Sequence, residues 1–187
     1  MEYKIQSLTK YLDDLSAKLE APGGGSAAAL NAAMGASLIS MVINFTLGKP
    51  KYSKYESGLK VVLRKSDKLK EDFLSLVDLD VVAYKSKDSR KAMDVSLILA
   101  RLCYEGIKIA VPLIKITNVN LITDTVIAVI FLESAFSAAC FNVQINLKML
   151  KDKKLACLVN KELRLKTRFV KQARAKLEEK VGKVIRG

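Results

Sequence analysis

The chain has 187 residues, half of them hydrophobic and 27% charged, with a formal net charge of +13 and no histidine. This is the balance of a folded globular protein and not of a disordered one. The missing imidazole excludes Ser-His-Asp and Cys-His triads and His-ligated zinc, so any general acid or base must be Asp, Glu, Lys, Tyr or Cys.

Taken in chain order, Ile5, Leu8, Leu12, Leu15 and Leu19 recur at three- and four-residue intervals and predict an amphipathic helix over about 3–19 with those residues inward. Ala21-Pro22-Gly23-Gly24-Gly25-Ser26 is the glycine cluster of the chain, and Ser26 reads as the N-cap of the next helix. That helix, 26–47, is rich in small residues, apolar on nearly all sides and stopped by Gly48-Lys49-Pro50. A third helix is expected over 53–84 and a fourth over 90–115, bent or restarted at Pro112. Thr117-Asn118-Val119-Asn120 reads as a connector, 121–150 as a strongly apolar helix and 152–185 as a charged amphipathic one. Strand-like alternation is scarce. The pattern predicts an all-α fold, one domain over 1–187 built as a bundle of about six helices.

Two apolar runs, 26–47 and 125–141, approach the length needed to cross a bilayer. The first carries Asn31 and Asn44, the second Glu133 with Asp124 near its start, and the second is short for a ~30 Å hydrocarbon layer. The expectation is therefore a bundle with no membrane, whose surplus of apolar faces implies a homodimer. Cys103, Cys140 and Cys157 lie far apart with no CxxC pair, which supports neither zinc nor a disulfide framework and suggests buried spacers. With no signal-peptide pattern in Met1-Glu2-Tyr3-Lys4, the expected setting is cytoplasmic. Residues 148–187 hold 14 basic and 4 acidic residues. Such a segment is either a solvated helix face or a surface for nucleic acid or another anion, the second of these being the alternative function for the chain.

Chemistry has two candidate seats. Three glycines before a helix expose backbone N–H groups at the positive end of its dipole, where an anion can sit. Asn31, Asn44, Asp80, Asp124, Glu133 and Asn142 interrupt apolar helices, and buried polar groups converge on partners or on a ligand because isolation costs roughly 1–3 kcal/mol.

Pro22-Gly23-Gly24-Gly25-Ser26, Asn44-Phe45-Thr46-Leu47-Gly48-Lys49, Asp80-Val81-Val82-Ala83-Tyr84, Asn118-Val119-Asn120-Leu121-Ile122-Thr123-Asp124 and Asn142-Val143-Gln144-Ile145-Asn146 together resemble the formiminotetrahydrofolate cyclodeaminase and methenyltetrahydrofolate cyclohydrolase family. The resemblance covers most of the chain in the family's order. It implies an all-helical, dimer-forming enzyme that acts on the methenyl or formimino group of tetrahydrofolate with no metal and no organic cofactor. It further implies a substrate site made of Gly23, Gly24, Gly25, Ser26, Asn44, Lys49, Asn118 and Asn120, with Asp80 and Asp124 as the catalytic carboxylates and Lys49, Lys51 and Lys54 near the substrate's glutamate tail. Bulkier residues than the family's at Val81 and Thr125-Val126-Ile127, and Gln144 in place of a frequent basic residue, imply a narrower cavity.

Overall fold

The computed structural model describes residues 2–186. Its helices are α1 (Leu8–Ser16), α2 (Gly24–Asn44), α3 (Glu56–Lys85), α4 (Ser89–Ala110), the one-turn α5 (Leu113–Ile116), α6 (Ile122–Leu150) and α7 (Lys153–Arg186), with 3-10 turns at Tyr3–Ile5, Pro50–Tyr55 and Val119–Leu121. No strand occurs among the described residues. The long helices expected from periodicity are all present, and Pro112 separates α4 from α5 as its missing N–H requires.

At the centre, α2 packs between α3 and α6, α4 closes on α6 and α3, and α7 lies along α6. Neighbours run antiparallel. Gly35 of α2 faces Ala128 and Leu132 of α6, while Asn31, a turn earlier, donates its side-chain N–H to the Phe131 carbonyl at 3.0 Å. This spacing explains the small residues of α2. A Cβ at Gly35 would stand 3.0 Å from the Ala128 oxygen and from Leu132 Cγ, and one at Gly106 of α4 would meet the same Leu132 at 3.1 Å. Leu132 therefore fills the gap where two helices come close enough to need glycine. Phe73, Met93, Phe136, Ile39 and Ile107 complete the core.

Polar side chains also tie helices together, Glu133 of the sequence candidates among them. Ser40 of α2 bonds Ser66 at 2.8 Å and Asp67 at 2.7 Å on α3. Glu133 of α6 accepts from Arg174 of α7 at 2.8 Å, and Arg101 of α4 makes a bidentate pair with Glu162 of α7.

Three local expectations are corrected. In the N-terminal segment Ile5, Leu8, Leu12 and Leu19 face solvent, and the inward residues are Tyr3 and Tyr11. The two rings meet edge to face at 5.4 Å, and Tyr3 is further tied down by its hydroxyl on Asp14 and its backbone N–H on Asp78 of α3. Aromatic area with hydrogen-bonding tips wins over a leucine stripe on so short a helix. The N-cap of α2 is Gly23, extended and without a side-chain bond, and not Ser26, which lies inside the first turn. Of the cysteines, Cys103 is buried and Cys140 half-buried, but Cys157 is exposed.

Replacing Gly35 by Val is expected to lower unfolding free energy by about 1–3 kcal/mol through overpacking against α6. Urea denaturation checks this, and an unchanged midpoint would show that α2 and α6 can separate without loss.

Candidate active site

One end of the bundle is hollow. A cavity of about 600 Å³ opens between the loop Leu19–Gly25, the last turns of α3, the first turns of α4 and the C-terminal turns of α6. Its floor holds Asp80. Its walls carry Asn142, Asn146, Ile145 and Met149 from α6, Ser96 from α4, and Tyr84, Lys85, Lys87 and Asp88 around the turn joining α3 to α4. Lys87 takes a left-handed conformation (φ 55°) in that turn, and Asp88 then caps α4 by accepting from the N–H groups of Arg90 and Lys91.

The glycine loop reaches the cavity through a cis Ala21–Pro22 bond and enters α2 at Gly24. Gly25 is the point of closest approach. A Cβ there would stand 2.6 Å from Cγ and 2.8 Å from Oδ2 of Asp80, closer still to Oδ1, so the carboxylate occupies the volume of the absent side chain. Burial pushes the Asp80 carboxyl above its ordinary range, and the backbone N–H of Ser26, at the positive end of α2, acts in the opposite sense. On the far side of Ser26, its hydroxyl lies 3.1 Å from that of Tyr11. Both cysteines at helix contacts are poor nucleophiles: burial raises Cys103 well above the usual thiol value and Cys140 to about 11.

The expected site residues fall into two groups. Gly23, Gly24, Gly25 and Asp80 line the cavity, and Ser26 stands just behind it. Asn44, Lys49, Asn118, Asn120 and Asp124 sit at the other end of α2, whose 21 residues span about 30 Å. There the Asn118 backbone N–H donates to Thr46 Oγ1 at 2.9 Å, the Val119 N–H to the Tyr52 hydroxyl at 3.3 Å, and the Asn118 side chain accepts from the Asn120 N–H at 3.2 Å. Those contacts join the α5–α6 connector to the end of α2, and this second group does not enter the cavity within one chain. The bulky residues do not plug it either: Val81 and Val126 are buried in the core and Gln144 lines a separate groove beside α7. Asn146, whose side chain donates to the Asn142 carbonyl at 2.8 Å, was not singled out by chemistry, although a second asparagine four residues after the first on an apolar helix was a usable signal.

Comparison with known proteins adds the following. The family model for formiminotransferase-cyclodeaminase matches residues 7–88 and 85–165. A methenyltetrahydrofolate cyclohydrolase from Methylorubrum extorquens is 35% identical over 174 residues, covering 81% of this chain and 84% of that protein. A rat formimidoyltransferase-cyclodeaminase is 29% identical over 169 residues, and the match spans 31% of its length. The fold is that of a formiminotetrahydrofolate cyclodeaminase from Thermotoga maritima, with a TM-score of 0.93 over 97% of this chain and 98% of the other at 22% identity.

Asp80 binds its proton more tightly in the folded than in the unfolded state. Its ionisation therefore opposes folding at neutral pH, and this cost vanishes once pH falls below the unfolded value of about 3.8, where both states hold the proton. Asp80→Asn is expected to melt higher than wild type near neutrality, with the gain fading toward acid. Parallel melting curves across the range would show that the carboxylate is fully solvated.

Proposed function

The chain belongs to the formiminotransferase-cyclodeaminase family, and on that premise we propose that its cavity binds a tetrahydrofolate with the one-carbon bridge beside Asp80. It is a folate one-carbon enzyme acting on the methenyl or formimino group. The observation that carries the reading is the Asp80 carboxylate pressed onto Gly25 at the floor of a cavity within the usual range for small-molecule sites.

The chemistry follows from the residues present. A 5,10-methenyl bridge is a cationic amidinium, electrophilic without further activation. A carboxylate held in a half-buried site stabilises that cation more strongly than water would. In hydrolysis, water forms a C–O bond to the bridge carbon as its proton passes to Asp80. The same proton then goes to the departing ring nitrogen as the C–N bond breaks, and the adduct's hydroxyl proton is released to solvent as the carbonyl forms, leaving a formyl group. The raised proton affinity of Asp80 suits a group that must both accept and return a proton. Asn142 and Asn146 offer amides to the pterin edge. Lys85 and Lys87 stand at the rim, where the glutamate tail emerges, in place of Lys49, Lys51 and Lys54 at the opposite end. We favour hydrolysis over cyclodeamination because the cyclohydrolase relative is 35% identical, against 22% for the cyclodeaminase that shares the fold over its whole length.

A homodimer is part of the proposal. No charged residue occurs in α2, and the outward side of α6 shows Ile127, Phe141 and Ile145 to solvent, with Phe141 72% exposed. Both helices are long and apolar enough to cross a membrane by length and composition. Yet the face also presents Asn31, Ser37 and Ser134, and it runs into the cavity mouth at Ile145 and Met149. Two adjacent helices ~30 Å long offer roughly 600 Å² per copy, close to the ~800 Å² per partner of a stable interface, and a second copy is a partner equally free of charge there.

Purified protein is expected to bleach the near-ultraviolet absorbance of methenyltetrahydrofolate faster than buffer, and Asp80→Asn to slow this by about 10² or more at unchanged fold. An excess rate that survives Asp80→Asn would remove the carboxylate from the mechanism. Light scattering after gel filtration should give twice the chain mass, and Phe141→Asp should return it to one; a monomeric wild type rejects the dimer.

A further inference from the structure

The outer side of α2 carries a seam at alternating three- and four-residue steps: Gly24, Ala27, Asn31, Met34, Leu38, Met41 and Phe45. All seven are exposed or half-buried, Met34 at 46% and Phe45 at 60%, while the positions between them are mostly buried. This spacing is the one that lets two helices mesh side by side. The polar groups on this side are already satisfied. Asn31 donates to the Phe131 carbonyl at 3.0 Å, and Ser37, beside the seam, donates to the Ala33 carbonyl at 2.9 Å.

Side-chain size rises along the seam, from glycine and alanine at the cavity end to methionine and phenylalanine at the other. Set antiparallel against itself about Met34, the seam brings Phe45 to Gly24, Met41 to Ala27 and Leu38 to Asn31. Each large member then meets a smaller one. Parallel pairing sets Phe45 on Phe45 and Gly24 on Gly24, overfilled at one end and hollow at the other. A lipid layer has no gradient to match. Gly24 itself points the same way: a Cβ there meets nothing within 4 Å and the backbone is helical, so nothing in its own chain requires glycine.

We propose that two copies join through antiparallel α2 seams and that the partner's Phe45 closes this copy's cavity over Gly24. Gly24 lines the cavity, and Ile145 and Met149, both exposed, stand at the same mouth. An aromatic ring seated among them is an apolar lid for a flat heteroaromatic ligand. The two-fold repeats the arrangement at the other end of the seam, about 30 Å away. The proposal rests on the cavity and dimer readings given above.

The arrangement is tested by cross-linking the full chain carrying Cys140→Ala and Cys157→Ser, Cys103 being buried. With a short bis-maleimide, Met34→Cys is expected to link to its own copy. Ala27→Cys and Met41→Cys should link only when the two chains are co-expressed. Self-linking of Ala27→Cys, or no link at Met34→Cys, in a dimeric protein overturns the arrangement and leaves the dimer standing. A chain that stays monomeric, in buffer or on phosphatidylcholine vesicles, overturns both. Phe45→Ala is expected to stay dimeric and to raise KM for methenyltetrahydrofolate by about tenfold or more, a larger effect than on kcat. A mixed dimer of Phe45→Ala and Asp80→Asn chains, isolated through different tags, should regain the wild-type KM, because one of its cavities has both Asp80 and an intact Phe45 opposite. A mixed dimer that keeps the raised KM puts the effect of Phe45 within its own chain and overturns the lid. Should wild type fail to turn over the folate, the functional reading fails, while the cross-linking pattern still decides how the copies meet.

Discussion

The carboxylate of Asp80 stands where a side chain at residue 25 would be. That exclusion ties together parts of the chain far apart in sequence: the loop must lack a Cβ, α2 must begin at Gly24, and the last turns of α3 must run level with the first turn of α2. Antiparallel packing of α2 between α3 and α6 delivers this alignment, and close approach at Gly35 and Gly106 fixes its depth. The electrostatics are a balance. Burial disfavours the charge, while a helix N-terminus and the Ser26 N–H favour it, so the group sits in a range where one proton can move either way.

Helix existence and order were legible because 3.6-residue periodicity is strong over twenty to thirty residues, and Pro112, Asp88 and Gly48 act locally. The first helix was misread for the opposite reason. Over nine residues, leucine spacing cannot outvote two tyrosines whose hydroxyls find partners on other elements, and those partners, Asp14 and Ser26, are visible only in three dimensions. Ser26 as a cap failed similarly: Gly24 and Gly25 already lie in the first turn, with Gly25 fitted against Asp80, so the helix begins two residues upstream.

The lining of the cavity was legible in part. Motif order brought the glycine loop and Asp80 together, but a one-dimensional list could not reveal that Asn44, Lys49, Asn118, Asn120 and Asp124 occupy the other end of a helix about 30 Å long. Polarity within apolar helices was a mixed signal. Asn31 and Glu133 satisfy neighbouring helices, whereas Asp80 and Asn142 open onto the cavity, joined there by Asn146. The departures at Val81 and Val126 pointed to a smaller hollow, yet both valines face the core.

The rear of the cavity is furnished by a short N-terminal arm. That arm is joined to the bundle through Asp78 and the tyrosine pair instead of a long packed helix face. Local opening of such a segment needs less free energy than parting any two of the long helices. The architecture thus contains a detachable back panel: with the arm released, the long helices α2, α4 and α6 stay packed on one another, but the triglycine bend loses the Tyr11 hydroxyl that meets Ser26 behind it.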